Sequence, residues 1–158
     1  MLDADPIALN SWTEVGLRLG LAAFLGLLLG LDRELRGHDA GIRTHALVSL
    51  SSAMIMVSSL LLYVQLRGDG IAPDPLRAIQ GLSQAIGFIA AGMIFVRGGN
   101  VVNMTTAANI WIAAAIGIAC GCGQYRVVAV GAALAILLLV AFRLLERYLP
   151  QEPPDKHS

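Results

Sequence analysis

Charge is scarce in this chain. Asp, Glu, Lys and Arg together make up 14% of 158 residues, against about 25% in an average globular protein. A small soluble domain must cover itself with polar groups, so the shortage excludes a soluble enzyme. It also excludes a disordered or nucleic-acid-binding chain, because such chains are rich in charge and poor in long apolar runs. Cysteine is nearly lacking: Cys120 and Cys122 can build neither a disulfide framework nor a four-ligand zinc site. The N-terminus has no basic region. It carries Asp3, Asp5 and Glu14, so its first apolar run is expected to be a retained helix, not a cleaved secretory signal. No Ser-His-Asp order, glycine-rich phosphate loop or paired-carboxylate pattern stands out, and no enzymatic activity is expected.

What the chain has is apolar residue. Hydrophobic side chains make up 56% of it, with 17 glycines in addition, and mean hydropathy is +0.70. A membrane-spanning helix needs about 20 predominantly apolar residues. Five segments qualify, over 12–31, 44–66, 77–96, 105–122 and 125–148. The expected fold is therefore all-α, a polytopic bundle of five transmembrane helices within a domain over 12–149. A short N-terminal segment over 1–11 precedes it and a disordered tail over 150–158, with Pro153 and Pro154, follows. Turn chemistry marks the connections Gly37–Gly41, Gly68–Pro75, Gly98–Asn103 and Gly121–Gln124. Glu14 and Arg18, four residues apart, can pair on one helical face near the membrane surface. An odd number of helices rules out two equal inverted halves in one chain.

The basic residues set the expected orientation. With the N-terminus outside, Arg33, Arg36, Arg43, Arg97, Arg143, Arg147 and Lys156 lie inside, against Arg18, Arg67, Arg77 and Arg126 outside. This bias predicts N-out, C-in.

Helices in lipid associate through small residues and hydrogen bonds. Gly16, Gly20 and Gly30 in the first helix, Gly87 in the third and Gly117 in the fourth are the expected packing positions. Thr44, Gln80, Gln84, Thr105, Thr106 and Asn109 are expected in the polar interior of the bundle. They either cross-link helices or line a cavity for an ion or small ligand. Asp32, Arg33, Glu34, Arg43 and Arg97 share the inner side, and a charge network among them is expected to tie the helix ends together. Asp74 and Arg77 form a candidate pair at the outer end. Asp32 and Glu34 offer hard oxygen ligands that suit Mg²⁺, but neighbouring arginines balance the local charge, so ion pairing competes with a metal site. His38 and His45 match no zinc spacing. The cysteines read as small buried residues.

Several stretches together carry a resemblance. They are Gly30-Leu31-Asp32-Arg33-Glu34, Ala40-Gly41-Ile42-Arg43-Thr44 with Leu47-Val48, and Asp74-Pro75-Leu76-Arg77 leading into Ile86-Gly87-Phe88 and Ala91-Gly92. Thr105-Thr106-Ala107-Ala108 with Trp111, and Ala114-Ala115-Ile116-Gly117, complete the set. In this order and spacing the chain resembles the MgtC/SapB family of bacterial inner-membrane proteins. It departs from the family pattern at Ala85 and Ala90, where glycines are usual, and at Asn103-Met104, where Gly-Leu is usual. Many relatives continue into a cytoplasmic domain similar to ACT domains, and this sequence is not expected to hold one.

The resemblance implies a multi-pass protein of the bacterial inner membrane, linked to magnesium homeostasis or adaptation to low magnesium and to virulence. It also implies a membrane partner such as the ATP synthase. The expected action is that of an adaptor or regulator working through helix contacts with the lipid bilayer around it, as a homo-oligomer or with another membrane protein. The alternative is a transporter or channel subunit for Mg²⁺ or another cation, as a homo-oligomer. No cofactor is expected beyond Mg²⁺, and no nucleic-acid partner.

Overall fold

The computed structural model describes residues 11–38, 40–68, 74–97 and 99–148. Within them the chain forms five α-helices and one two-stranded hairpin. The helices are α1 (Trp12–Leu35), α2 (Ile42–Gly68), α3 (Leu76–Met93), α4 (Met104–Gly121) and α5 (Tyr125–Tyr148), and the strands are β1 (Phe95–Arg97) and β2 (Asn100–Val102). The N-terminal segment before Ser11 and the tail over 150–158 lie outside the described residues, as do the side chains of Arg143 and Arg147.

Four helices, α1, α2, α4 and α5, are long and apolar enough to cross a membrane. Their outward faces carry exposed Leu17, Phe24, Leu47, Leu62, Leu137 and Phe142, side chains that suit lipid. α3 has 18 residues, but Arg77, Gln80 and Gln84 lower its hydropathy. It ends at Met93, three residues short of the expected bound at 96. There Ile94 turns extended (φ −87°, ψ 123°), and β1 pairs antiparallel with β2 in the register Phe95 with Val102 and Arg97 with Asn100. The connection read from sequence as a plain turn is thus the tip of a hairpin.

α4 is the central element. It packs on α1, α2, α3 and α5, while α5 touches only α4 and α1 among the helices with substantial contact. α4 needs small residues to be surrounded in this way, and it supplies Ala107, Ala113, Ala114, Gly117, Ala119 and Gly121, all buried. The main apolar core joins Ala22 and Leu29 of α1, Ala53 of α2, Ala113, Ile116 and Cys120 of α4, and Val128 of α5.

Glycine brings α1, α2 and α4 into backbone contact, as expected where dispersion and not the hydrophobic effect drives helix association. A β-carbon on Gly26 would stand 2.7 Å from the His45 carbonyl oxygen, and one on Gly30 would stand 2.6 Å from the Ile42 α-carbon. On α4, Gly117 meets the backbone of Ser49, and a β-carbon on Gly121 would stand 2.7 Å from the Ala53 carbonyl oxygen. Gly30 and Gly117 therefore sit at close backbone contacts with α2. Gly16 and Gly20 do not: both are exposed, with nothing within 4 Å of a β-carbon. The buried face of α1 runs through Arg18, Ala22, Gly26, Leu29, Gly30 and Arg33. At 100° per residue this is a different arc from that of Gly16 and Gly20. A β-carbon on Gly87 would meet only the Trp111 ring, in ordinary contact at 3.4 Å.

Candidate functional site at the hairpin end

α1 ends, α2 begins, α3 ends and α4 begins at one end of the bundle, and β1–β2 lies there. The expected charge network resolves at this end into separate, local contacts. Asp32 pairs with Arg36 one turn on, at 3.1 Å. Glu34 reaches across the loop, and its carboxylate accepts the Ile42 N–H at 3.0 Å. That contact satisfies a first-turn amide of α2 and places negative charge at the positive end of its dipole. Gly41 makes it possible, because a β-carbon there would overlap the Glu34 carboxylate. Arg43 and Arg97 are both exposed. Glu14–Arg18 and Asp32–Arg36 pair within 4.0 Å, while among the described residues no salt bridge ties Glu34 to Arg43. Asp32 and Glu34, the carboxylates considered for Mg²⁺, thus face different partners. No cluster of three or more His, Cys, Asp or Glu suited to a metal occurs among the described residues.

Arg33 behaves differently from its neighbours. It is 5% exposed and turns into the bundle, where its Nη2 donates to the Thr106 hydroxyl in the first turn of α4. Its Nε–H is buried without a partner. Below it, His45 is fully buried, and its Nδ1 lies 2.9 Å from the Gly41 carbonyl oxygen. A carbonyl can only accept, so Nδ1 carries the proton and Nε2 is left as an acceptor. His45 Nε2 and Ser49 Oγ are likewise buried without partners. His45, Ser49 and Ser52 form a polar stripe along the buried side of α2. The sequence reading missed this stripe, although its spacing of four and then three residues is that of one helical face.

The other expected interior residues divide. Thr106 is buried, Thr44 and Asn109 are half-buried, and Thr105 is exposed. Gln80 and Gln84 are exposed, which corrects their interior placement. α3 turns Leu82, Ile86 and Ala90 inward, and the amides lie off that stripe. Asp74 uses its carboxylate on the Leu76 N–H at 2.9 Å. Its link to Arg77 is through the backbone, with the Arg77 N–H donating to the Asp74 carbonyl at 3.2 Å. A cavity of about 40 Å³ lies between α3 and α4, lined by Ser83, Ile86, Trp111, Ala114, Ala115 and Ile118.

At the opposite end a second polar assembly forms. Arg18, 8% exposed, donates its Nε–H to Glu14 at 2.8 Å and its Nη1 to the Gly121 carbonyl at 2.9 Å. The pairing with Glu14 is the one its spacing predicts. Tyr125 donates its hydroxyl to the same Glu14 oxygen at 2.6 Å. Arg18 thereby closes the C-terminus of α4, where a cation also complements the helix dipole. Gly123 (φ +69°) completes the turn, and a β-carbon there would stand 2.7 Å from Arg18 Nη2.

Comparison with known proteins identifies relatives of this sequence. The model of the MgtC family matches residues 19–148. The protein of Escherichia coli K12 named "Putative magnesium transporter YhiD" is 39% identical over 133 residues, covering 84% of this chain and 62% of the relative. "Protein SapB" of Bacillus subtilis is 36% identical over 139 residues, covering 85% and 60%. "Protein MgtC" of Brucella abortus is 38% identical over 130 residues, covering 82% and 50%. The chain thus spans between half and two thirds of the length of these relatives. No solved structure matches it. The apolar helices and these relatives together make it a multi-pass protein of the bacterial inner membrane. The chain belongs to the MgtC family.

Proposed function

We propose that this protein serves magnesium homeostasis or adaptation to low magnesium as a membrane adaptor or regulator, acting through helix–helix contacts. The observation that carries this reading is the outward face of α3. Gln80 and Gln84 are exposed there, and Gly81 and Gly92 have nothing within 4 Å of a β-carbon. An amide facing lipid lacks hydrogen-bond partners, and open glycines admit a second backbone. The face therefore suits another transmembrane helix, from a second copy or from a partner protein. The link to magnesium rests on the name of the Escherichia coli relative. The reading assigns the chain no chemical reaction.

The alternative is a subunit of a cation transporter, and that same name favours it. Against it, the charged group buried at the hairpin end is the Arg33 guanidinium, which repels Mg²⁺. One set of experiments separates the readings. Crosslinking in native membranes is expected to give a specific adduct that Gln80→Leu with Gln84→Leu removes, while purified protein in liposomes passes no Mg²⁺ above empty vesicles. An unchanged adduct overturns the adaptor reading, and Mg²⁺ flux above the empty-vesicle rate establishes the alternative.

A further inference from the structure

Two helix N-termini meet at the hairpin end, and the chain treats them differently. At α2 the Glu34 carboxylate accepts the Ile42 N–H, so the positive end of the helix carries an internal anion. At α4 no side chain caps the N-terminus. Its first ladder bond is Ala107 N–H to the Asn103 carbonyl at 2.9 Å, which leaves the amides of Met104, Thr105 and Thr106 ahead of the ladder. Asn103 takes a left-handed conformation (φ 66°) and does not turn its side chain back on these amides. Met104 and Thr105 are exposed, so this turn is open on its outer side.

Arg33 stands directly behind the same turn. Its guanidinium is anchored on the Thr106 hydroxyl and is 5% exposed, and its Nε–H has no acceptor. The described carboxylates have other partners: Glu14 pairs with Arg18, Asp32 with Arg36, and Glu34 and Asp74 accept from the Ile42 and Leu76 amides, although the charge of Asp32 also acts on Arg33 from a distance. A buried guanidinium without a carboxylate contact is costly. Beside a helix N-terminus it adds a full positive charge to the partial one already there.

We propose that the first turn of α4 and Arg33 together form a binding site for a phosphate-type oxyanion at the hairpin end. A tetrahedral oxyanion has acceptor oxygens enough for several amides and a guanidinium N–H at once. Glu34 provides the internal precedent, an anionic oxygen at the neighbouring N-terminus. The phosphate comes either from a lipid headgroup or from solution. The inference stands apart from the adaptor reading, since it uses neither the α3 face nor magnesium.

The test uses the whole protein, with thermal unfolding in detergent and native mass spectrometry. One arm titrates inorganic phosphate. The other reconstitutes the protein in phosphatidylglycerol or in phosphatidylcholine vesicles and measures retained lipid after extraction. Stabilisation by inorganic phosphate identifies a free anion as ligand, and selective retention of phosphatidylglycerol identifies a headgroup. In either case Arg33→Gln is expected to weaken binding at least tenfold, Thr106→Val several-fold, and Arg97→Gln, at an exposed hairpin position, less than twofold. If Arg33→Gln does not fold, Thr106→Val decides. The proposal is overturned if the folded wild-type protein binds neither ligand, if Arg97→Gln costs as much as Arg33→Gln, or if Thr106→Val binds like wild type.

Discussion

The α-carbon of Gly117 on α4 lies against the backbone of Ser49 on α2, so close that a β-carbon would stand 2.9 Å from the Ser49 α-carbon. Backbone cannot yield as a flexible side chain can, and relief requires the two helices to move apart. Gly117→Ala is expected to destabilise the bundle by about 1–3 kcal/mol, the usual cost of overpacking a close contact. Gly16→Ala meets open space, and alanine is the better helix former by about 0.5–1 kcal/mol. Thermal unfolding in detergent is expected to show a lowered midpoint for Gly117→Ala and an unchanged or raised one for Gly16→Ala. Equal midpoints would contradict the packing described here.

Glu34 gives a second prediction, because its partner is a backbone amide and not Arg43. Glu34→Ala is expected to cost about 1 kcal/mol, the typical value of a lost N-terminal cap. Arg43 is exposed, and Arg43→Gln is expected to change stability by less than about 0.5 kcal/mol. In a double-mutant cycle the two losses are expected to add. A coupling energy above the additivity error of about 0.5 kcal/mol would restore a Glu34–Arg43 pair. Gly41→Ala is expected to reproduce the Glu34→Ala loss, since the methyl group displaces the carboxylate.

These two cases show what was legible in the sequence. The helices were, because long apolar runs in a charge-poor chain admit few other structures. Polar residues misled where their location was inferred from polarity alone. Gln80 and Gln84 share an amphipathic helix with Leu82, Ile86 and Ala90, and in a bundle where α4 holds the centre the apolar stripe of α3 turns inward. A sequence does not display unpaired amides at a helix start, so from sequence Glu34 reads as the partner of a side chain. The Gly16 and Gly20 spacing is as regular as that of Gly26 and Gly30. Only the position of α2 decides which pair is covered. His45, Ser49 and Ser52 were findable from their spacing on one face of α2.

Cys122 lies in the turn between α4 and α5 and is half-buried, while Cys120 within α4 is fully buried. Burial pushes the Cys122 thiol above its ordinary range, with Arg18 pulling weakly the other way. The thiolate is the reactive form, so at neutral pH its fraction falls below that of a free cysteine. Maleimide labelling of the folded protein is therefore expected to be slower than labelling of a free thiol at pH 7. It is expected to accelerate with pH beyond about 8.5, the unperturbed value, and to vanish in Cys122→Ser. A rate at pH 7 equal to that of glutathione would rule out a raised thiol.

Glu14, Arg18 and Tyr125 form one hydrogen-bonded unit, since a single Glu14 oxygen accepts from both Arg18 and Tyr125. Arg18 also donates to the Gly121 carbonyl, so the unit joins the starts of α1 and α5 to the end of α4. Removing Tyr125's hydroxyl leaves the Glu14–Arg18 pair intact. Removing the charge of Glu14 leaves a mostly buried arginine with only the Gly121 carbonyl. Such an uncompensated cation costs more than the loss of one hydrogen bond. Glu14→Gln is accordingly expected to lower the unfolding midpoint more than Tyr125→Phe. The double variant is expected to lie close to Glu14→Gln alone, because the hydroxyl's charged acceptor is already gone. Neighbours sharing one network show couplings of about 0.5–3 kcal/mol, within reach of equilibrium unfolding in mixed micelles. Strict additivity of the two losses would mean that Tyr125 and Arg18 act on Glu14 independently and that no joint clamp holds this end of the bundle.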